Sequence, residues 1–236
     1  MKILALDTAT ENCSVALWVD GRVTALELLL ERGHAERLLP MVDELLGASS
    51  VPLGALTAIA FGRGPGAFTG LRLAASVAQG LAYGARLSVV PVSDLQALAE
   101  RVLAEGQTAH RVIVCTDARL GEVYWACFER SAEGRAAAVT SERVSRPEAV
   151  SLPDAWRNQG SDLVGAGSGF RAYPQLRSAV GAALDAIQDG LLPRAREVAS
   201  LAAPEVAAGR VFPPEEALPV YLRDDVVHPS PARSLN

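Results

Sequence analysis

Two short polar turns in this sequence carry side chains suited to hold a metal-bound phosphate. The first turn holds Asp7, Thr8 and Thr10, and it follows the apolar run at residues 2–6. An aspartate at the end of a strand can hold magnesium through water, while neighbouring hydroxyl and backbone N–H groups bind a phosphate. An ordinary polar hairpin turn, whose aspartate satisfies local backbone groups, fits the same residues.

The second turn holds Asp117 and Arg119 and has the same setting. It follows the apolar run 111–116 and precedes another at 122–128. Two units of strand, aspartate and hairpin at the heads of two half-chains are what a duplicated nucleotide clamp would present. The alternative is a purely structural role, in which Arg119 and Glu122 form an exposed ion pair that stabilises the turn by about 0.2–1 kcal/mol.

Two glycine-rich segments add to this pattern. Residues 62–70 match neither a P-loop nor a G-x-G-x-x-G fingerprint, so a Walker-type NTPase is disfavoured. Their glycines permit close backbone approach before a helix N-terminus, which suits either an anion or a tight strand-to-helix crossover. Gly165 and Gly167, in the second segment, could pass beneath an adenine ring or belong to a flexible surface loop.

Metal and nucleophile chemistry is judged by what the sequence lacks. His34, His110 and His228 are the only histidines, and none of them forms an H-x-x-x-H or H-E-x-x-H pair. Gly167 stands where a nucleophile elbow would need serine. We therefore predict no metal site and no catalytic residue, and we interpret His34 as a capping or interface residue at the start of a helix.

Periodicity predicts the elements of the first half of the chain. Asp20-Gly21 joins two strands as a hairpin, and Ser93 caps a helix. Strands are predicted at residues 2–6, 14–19, 23–28, 56–61 and 87–92, and helices at residues 34–46, 71–83 and 94–103.

The second half is less regular. Pro204 should kink or shorten its one long helix, and we place the boundary between the two halves near residue 105, which gives segments 1–105 and 106–236. Strands are predicted at residues 111–116, 122–128, 139–144 and 162–164, a helix at 197–208 and an extended tail at 213–236.

Composition bounds the class of protein. A chain of 236 residues, half of them hydrophobic, can bury the core of one large domain or two small ones, and its elements favour an α/β class. With a net charge of −5 and no basic run, its field should not attract a polyanion such as RNA. The three cysteines, none in a C-x-x-C spacing, indicate a reduced cytosol, and no apolar run predicts export or a membrane span.

Six segments are spread over nearly the whole chain: residues 3–10, 14–17, 34–40, 64–70, 117–124 and 219–223. The glycine-rich block at 64–70 is the most specific of them. Read together, these segments closely resemble the bacterial TsaB (YeaZ) family.

The resemblance implies an actin-like ATPase fold (ASKHA, RNase H-like) with two lobes, the second reduced. It implies a role in making threonylcarbamoyladenosine beside the anticodon of tRNA, in the cytoplasm. In that family the paralogue TsaD carries the H-x-x-x-H metal site and transfers the threonylcarbamoyl group. This chain would be its non-catalytic partner, with TsaE joining the larger assembly. It would form a homodimer when alone and would meet tRNA only through the complex.

Carried onto matching positions, the resemblance places the partner surface on two helices of the first half. On the first helix it implicates His34, Leu38, Met41, Val42 and Leu45, and on the second Leu71, Ala75, Ala78 and Ala82.

No cofactor is required by this resemblance, which leaves room for weak binding of ATP or ADP with magnesium. Asp-Thr-Ala-Thr at 7–10 and Asp-Ala-Arg-Leu-Gly at 117–121 lack a hydroxyl and an arginine that the family more often has, and both would donate to phosphate. An active actin-like kinase or ATPase is the alternative function, motivated by the paired aspartate turns. A peptidase ranks third.

Overall fold

The computed structural model describes residues 1–106, 109–156, 162–180 and 183–223. Within them the chain builds two mixed β-sheets, each covered by helices. The strands of the first sheet are β1 (Lys2–Asp7), β2 (Asn12–Val19), β3 (Arg22–Leu29), β4 (Ala58–Gly62) and β5 (Ser88–Val92). Those of the second are β6 (Arg111–Asp117), β7 (Val123–Arg130), β8 (Ala136–Ala138), β9 (Arg143–Ser145), β10 (Leu163–Ala166) and β11 (Ala186–Gln188).

Six α-helices complete the described part of the fold. They are α1 (His34–Ala48), α2 (Phe68–Ala85), α3 (Asp94–Glu105), α4 (Gly169–Ala172), α5 (Gln175–Val180) and α6 (Ala195–Ala207). No helix in the described ranges is long and apolar enough to cross a membrane.

The first sheet has the order β3-β2-β1-β4-β5. Its antiparallel half is the predicted meander, and the hairpin residues Asp20 and Gly21 take the positive φ angles, 46° and 95°, that a two-residue turn of this kind needs. Alternate residues of β1 face opposite sides. Leu4 and Leu6 pack under α1 and α2, while Ile3 packs into the core under α6. A strand buried on both faces reads as a continuous apolar run, which is why the sequence identifies it so clearly.

The second sheet has the order β11-β10-β6-β7-β8, with β9 also paired to β7. Helix α3 lies between the two sheets, because Ala97 packs into the core of the first and Leu98 into that of the second. The far side of the second sheet packs against Trp156 and Phe170. One helix thereby contributes to both lobes.

The predicted single strand at 139–144 is wrong. Two short strands, β8 and β9, pair with opposite ends of β7. Between them the Thr140 hydroxyl accepts the Cys127 N–H at 3.0 Å, in place of a ladder carbonyl. A side chain that competes for the backbone donor interrupts the strand.

Helix α6 runs through Pro204 to Ala207, so the expected shortening is wrong. Proline removes the N–H that would bond to the carbonyl of Ser200. That carbonyl accepts instead from Arg135 Nη1 at 2.7 Å. Although α6 belongs to the second half of the chain, it packs on β1, β2 and β4 of the first sheet.

The two lobes are also joined across the chain by polar contacts. Arg63, in the loop after β4, forms a bidentate ion pair with Glu142 at 3.1 and 3.2 Å. Gln96 on α3 donates to the Ala136 carbonyl of β8 at 2.8 Å. These contacts set the relative position of the lobes around the space between them.

The side chains predicted to face a partner are, with the exception of His34, buried in the first lobe's own core. The positions that the family resemblance implicated lie on the face that packs on the sheet, and this corrects that expectation at the level of side chains. The buried set is Leu38, Met41, Val42, Leu45, Leu71, Ala75, Ala78 and Ala82.

Adjacent leucines of α1 test this assignment. Leu38 is fully buried and Leu39 is 48% exposed. We expect Leu38→Ala to lower the free energy of unfolding by about 2–5 kcal/mol because it leaves a cavity. Leu39→Ala should change it by less than about 0.5 kcal/mol. Urea unfolding followed by circular dichroism measures both, and equal effects would contradict the assignment.

Candidate functional site

A cleft of about 1150 Å³ lies between the two lobes, and both predicted turns line it. Thr8 and Thr10 come from the turn between β1 and β2, and Asp117 and Arg119 from the turn between β6 and β7. The glycine loop, residues 62–70, supplies another wall from position 65 onward. The fold thus brings together residues more than a hundred positions apart in sequence.

Asp7 is fully buried beneath the first turn, where it meets a second carboxyl group that sequence reasoning missed. Asp94, the first residue of α3, is also buried. Asp7 Oδ1 accepts from Ala9 N at 2.9 Å, and Asp94 Oδ2 accepts from Gly64 N. The other oxygen of each carboxyl group is buried without a partner apart from the opposite acid.

Burial favours the protonated form of both acids. Burial raises the pKa of Asp7 to about 6, offset in part by the N–H of Ala9. Burial, and then the charge of Asp7, raise the pKa of Asp94 well above its usual range. Two carboxylates side by side in a dry site cannot both be ionised at low energy. We infer that one proton is held between the two carboxyl groups, which joins the end of β1 to the start of α3.

The glycine loop packs directly on the first turn. The Ala67 N–H donates to the Ala9 carbonyl at 2.8 Å, and the Thr8 hydroxyl donates to the Gly70 carbonyl at 2.7 Å. A Cβ atom at position 70 would lie 1.8 Å from the Thr8 carbonyl oxygen. The space that the glycines leave open is therefore occupied by the backbone of the first turn.

His34 joins α1 to the same turn. Its Nε2 lies 2.9 Å from the Thr10 carbonyl oxygen, which makes the ring nitrogen the donor. The Thr10 hydroxyl accepts the Asn12 N–H at 3.2 Å. His34 lines the cleft rather than the outer face of the helix.

The second turn is also held by internal contacts. Asp117 Oδ1 accepts from the Tyr173 hydroxyl and from Arg119 N, both at 2.8 Å. Arg119 and Leu120 have positive φ angles of 63° and 55°, which strain residues other than glycine. The Arg119 side chain is 86% exposed. Its Nη1 nevertheless pairs with Asp117 Oδ2 at 3.2 Å, so both polar side chains of this turn are engaged with one another.

Gly165 and Gly167 do not line the cleft, which corrects the interpretation of a bed for an adenine ring. A Cβ at position 167 would lie 2.5 Å from the Cys115 carbonyl oxygen, and one at position 165 would lie 2.9 Å from the Phe170 ring. These glycines let β10 and the loop after it pack on the chain's own atoms. No group of three or more His, Cys, Asp or Glu side chains in the described ranges is arranged to hold a metal ion.

Residues 218–223, which we call the C-terminal strap, cross the rim of the cleft. Tyr221 and Arg223 line it. The sequence marks this segment only as part of an expected extended tail, because it has neither periodicity nor a cap. Residues 224–236 of that tail lie outside the described residues.

Comparisons with known proteins agree with this geometry. The family model described as TsaD, tRNA N6-adenosine threonylcarbamoyltransferase, matches residues 28–211. The chain is 42% identical over 228 residues to the Escherichia coli (strain K12) protein named tRNA threonylcarbamoyladenosine biosynthesis protein TsaB, covering 96% of both chains. It is 38% identical to the protein of that name from Haemophilus influenzae, covering 96% of this chain and 95% of the relative.

The solved structure of YeaZ from Pseudomonas aeruginosa superposes with a TM-score of 0.85 at 44% identity, over 94% of this chain and 99% of that one. The two sheets with their helices and the aspartate turns facing one cleft define an α/β protein of the actin-like, ASKHA-type fold, as predicted. Within that class, the chain belongs to the TsaB (YeaZ) family, which confirms the sequence resemblance.

The acid pair predicts a pH dependence of stability. Both pKa values are raised in the folded state, so the stabilisation is complete below the unfolded pKa of 3.8 and is lost as pH rises through the folded values. For Asp7 alone the loss between 3.8 and about 6 is on the order of 3 kcal/mol. In Asp94→Asn the amide can donate to Asp7 permanently. We expect its unfolding free energy, relative to wild type, to increase with pH in urea titrations from pH 5 to pH 8.

Asp94→Ala is the control for this measurement. It leaves the Gly64 N–H without its acceptor and should destabilise the protein at every pH. A difference between Asp94→Asn and wild type that stays constant with pH would rule out the shared proton.

Two glycines of α2 test the contact between the glycine loop and the first turn. Gly70→Ala should cost more than about 3 kcal/mol, because backbone must move to admit the methyl group. Gly80 has no atom within 4 Å of its Cβ position, so Gly80→Ala should stabilise by about 0.5–1 kcal/mol through helix propensity. Thermal unfolding compares them, and similar midpoints for the two variants would refute the close contact.

Proposed function

We propose that this chain is a non-catalytic subunit that supports a TsaD homologue in transferring a threonylcarbamoyl group to tRNA. Its relatives from Escherichia coli and Haemophilus influenzae are named for threonylcarbamoyladenosine biosynthesis, and the matching family model is described as the transferase. The chain would take part in the same biosynthesis in the cytoplasm and would meet tRNA through the complex.

One observation carries the non-catalytic assignment: the polar groups of both aspartate turns are used inside the chain. Asp7 shares a proton with Asp94, the Thr8 hydroxyl bonds to Gly70, and Asp117 accepts from Tyr173. A kinase of this fold needs an aspartate and donors that are free to face the phosphates. Here the buried acid pair and the glycine loop, which packs on the first turn, serve instead to stabilise the first lobe.

The outer face of α1 and α2 is the surface we assign to the partner. Leu39 and Phe68 are exposed large hydrophobic residues, and Tyr83 is 77% exposed. Between Phe68 and Tyr83, helix α2 exposes Ser76 and Gly80, so at these positions the face carries no bulky side chain. A partner helix can approach closely over such small residues. The same face would make the homodimer when the chain is alone, and a TsaE homologue would join the larger assembly.

The second candidate function is an actin-like kinase or ATPase, favoured by the size of the cleft and the two turns that line it. Calorimetry with Mg-ATP, with Asp7→Ala as control, distinguishes it from the first. On our proposal no cofactor is required, and any heat corresponds to weak binding of ATP or ADP with magnesium. Turnover of ATP by the isolated chain would favour this second function.

A substitution on the outer face tests the partner assignment. Gly80→Arg fills the open space above α2 without touching the core, and we expect it to weaken binding to a TsaD homologue about tenfold or more. The control is Gly190→Arg, an equally open glycine of the second lobe, which should bind like wild type. Size-exclusion chromatography at micromolar concentrations, with titration calorimetry, measures both.

The cellular assignment has its own test. Depletion of the protein should lower threonylcarbamoyladenosine in tRNA, measured by mass spectrometry of nucleosides. Wild-type chain should restore it, and Gly80→Arg should restore less. An unchanged level after depletion would overturn the proposed function whatever the fold.

A further inference from the structure

The C-terminal strap, residues 218–223, is attached to the first lobe at the start of α2. Val220 N donates to the Arg63 carbonyl at 2.7 Å, and its carbonyl oxygen would lie 2.8 Å from a Cβ at Gly64. The Tyr221 ring lies 5.3 Å from that of Phe68, and its hydroxyl accepts from Arg72 Nε at 2.9 Å. The Arg72 guanidinium in turn stacks 3.7 Å from the Phe68 ring centroid.

The other end of the strap holds the second lobe. Arg223 Nη2 donates to the carbonyls of Ala118 and Arg119 at 3.2 and 3.4 Å and pairs with Glu122. These are the residues of the strained second turn. The strap therefore spans the mouth of the cleft and is fastened on both sides.

The strap has little hydrophobic anchorage of its own. Ala217, just before it, is buried in the first core, but Leu218 is 63% exposed and Tyr221 is 43% exposed. No side chain of the strap is fully buried, and segments held by a few polar contacts and one ring pair open at low free energy compared with core elements. The structure thus holds the strap in place without locking it.

The first-lobe end of the strap covers part of the surface that we assign to the partner. Arg72 and Phe68 are exposed residues of α2, one and two turns before Ser76 on the same helix. Tyr221 lies against both of them. A partner helix that packs along the whole outer face of α2 meets Tyr221 at this end.

We propose that the strap is an intramolecular competitor of the partner subunit, so that docking on α2 displaces Tyr221 and releases Arg223 from the second turn. This inference rests on the proposed function and adds a coupling to it. Partner binding at the outer face would open the mouth of the cleft and free the Arg119–Leu120 turn. The closed strap would in exchange reduce the affinity of the isolated chain for its partner.

Variants of the two ends separate competition from direct contact. Tyr221→Phe keeps the ring pair and loses the hydrogen bond to Arg72, whereas Tyr221→Ala loses both. Arg223→Gln acts only at the second turn, away from α2, so it can change affinity only through the strap. Leu218→Ala is the matched control, an exposed strap residue without these contacts. The probe is a purified TsaD homologue, titrated by calorimetry.

We expect affinity to rise about threefold in Tyr221→Phe and about tenfold in Tyr221→Ala, because each loss increases the population of open strap. Arg223→Gln should raise it about threefold, and Leu218→Ala should leave it unchanged. Hydrogen exchange on the complex should show faster exchange at Val220 N and at Glu122 N than in the free chain.

Two results would overturn the inference while the proposed function stands. One is a complex whose affinity is the same in Arg223→Gln and wild type. The other is a complex in which Val220 N becomes more protected, which would make the strap part of the docking surface. Absence of a complex with every variant would overturn both proposals, whereas a complex seen only with strap variants would support both.

Discussion

The contact between the first turn and the glycine loop is the constraint from which the rest of the site follows. Gly70 lies so close to the Thr8 carbonyl that no larger residue fits between them. This approach sets where α2 begins, brings Gly64 to Asp94 and buries Asp7 beside the same acid. The first turn and the glycine loop are thereby closed on one another.

The chemistry of the buried acids explains what this closure stabilises. An aspartate at the end of β1 faces water or a metal when the site is open, and its charge then stays solvated. Here Asp7 is dry, and a proton shared with Asp94 replaces that solvation. The pair ties the first sheet to α3, which also packs on the second sheet. The acid pair is thereby a structural joint between the lobes.

The cleft and the outer helix face are connected through one short segment. The C-terminal strap contacts Phe68 and Arg72 at one end and the second turn at the other. On the proposed binding function, a weakly anchored segment that touches both surfaces provides a route by which they can respond to each other. The Arg63–Glu142 ion pair crosses the lobes near the same loop and limits how far they can separate.

Local signals in the sequence were sufficient for the meander, the first three helices, the cap at Ser93 and the positions of both aspartate turns, because each depends on neighbours within a few residues. They also sufficed for the family, through the glycine block and its flanking motifs. Tertiary structure alone decided which face of α1 and α2 is buried, since an apolar stripe looks the same against a sheet or a partner. It also decided where the strand is interrupted at Thr140 and that Arg135 donates to the Ser200 carbonyl, which Pro204 leaves without its helical donor. The groups that Asp7, Gly165 and Gly167 contact were likewise set by tertiary structure. Those outcomes depend on groups far apart in the chain, whose meeting no local pattern records.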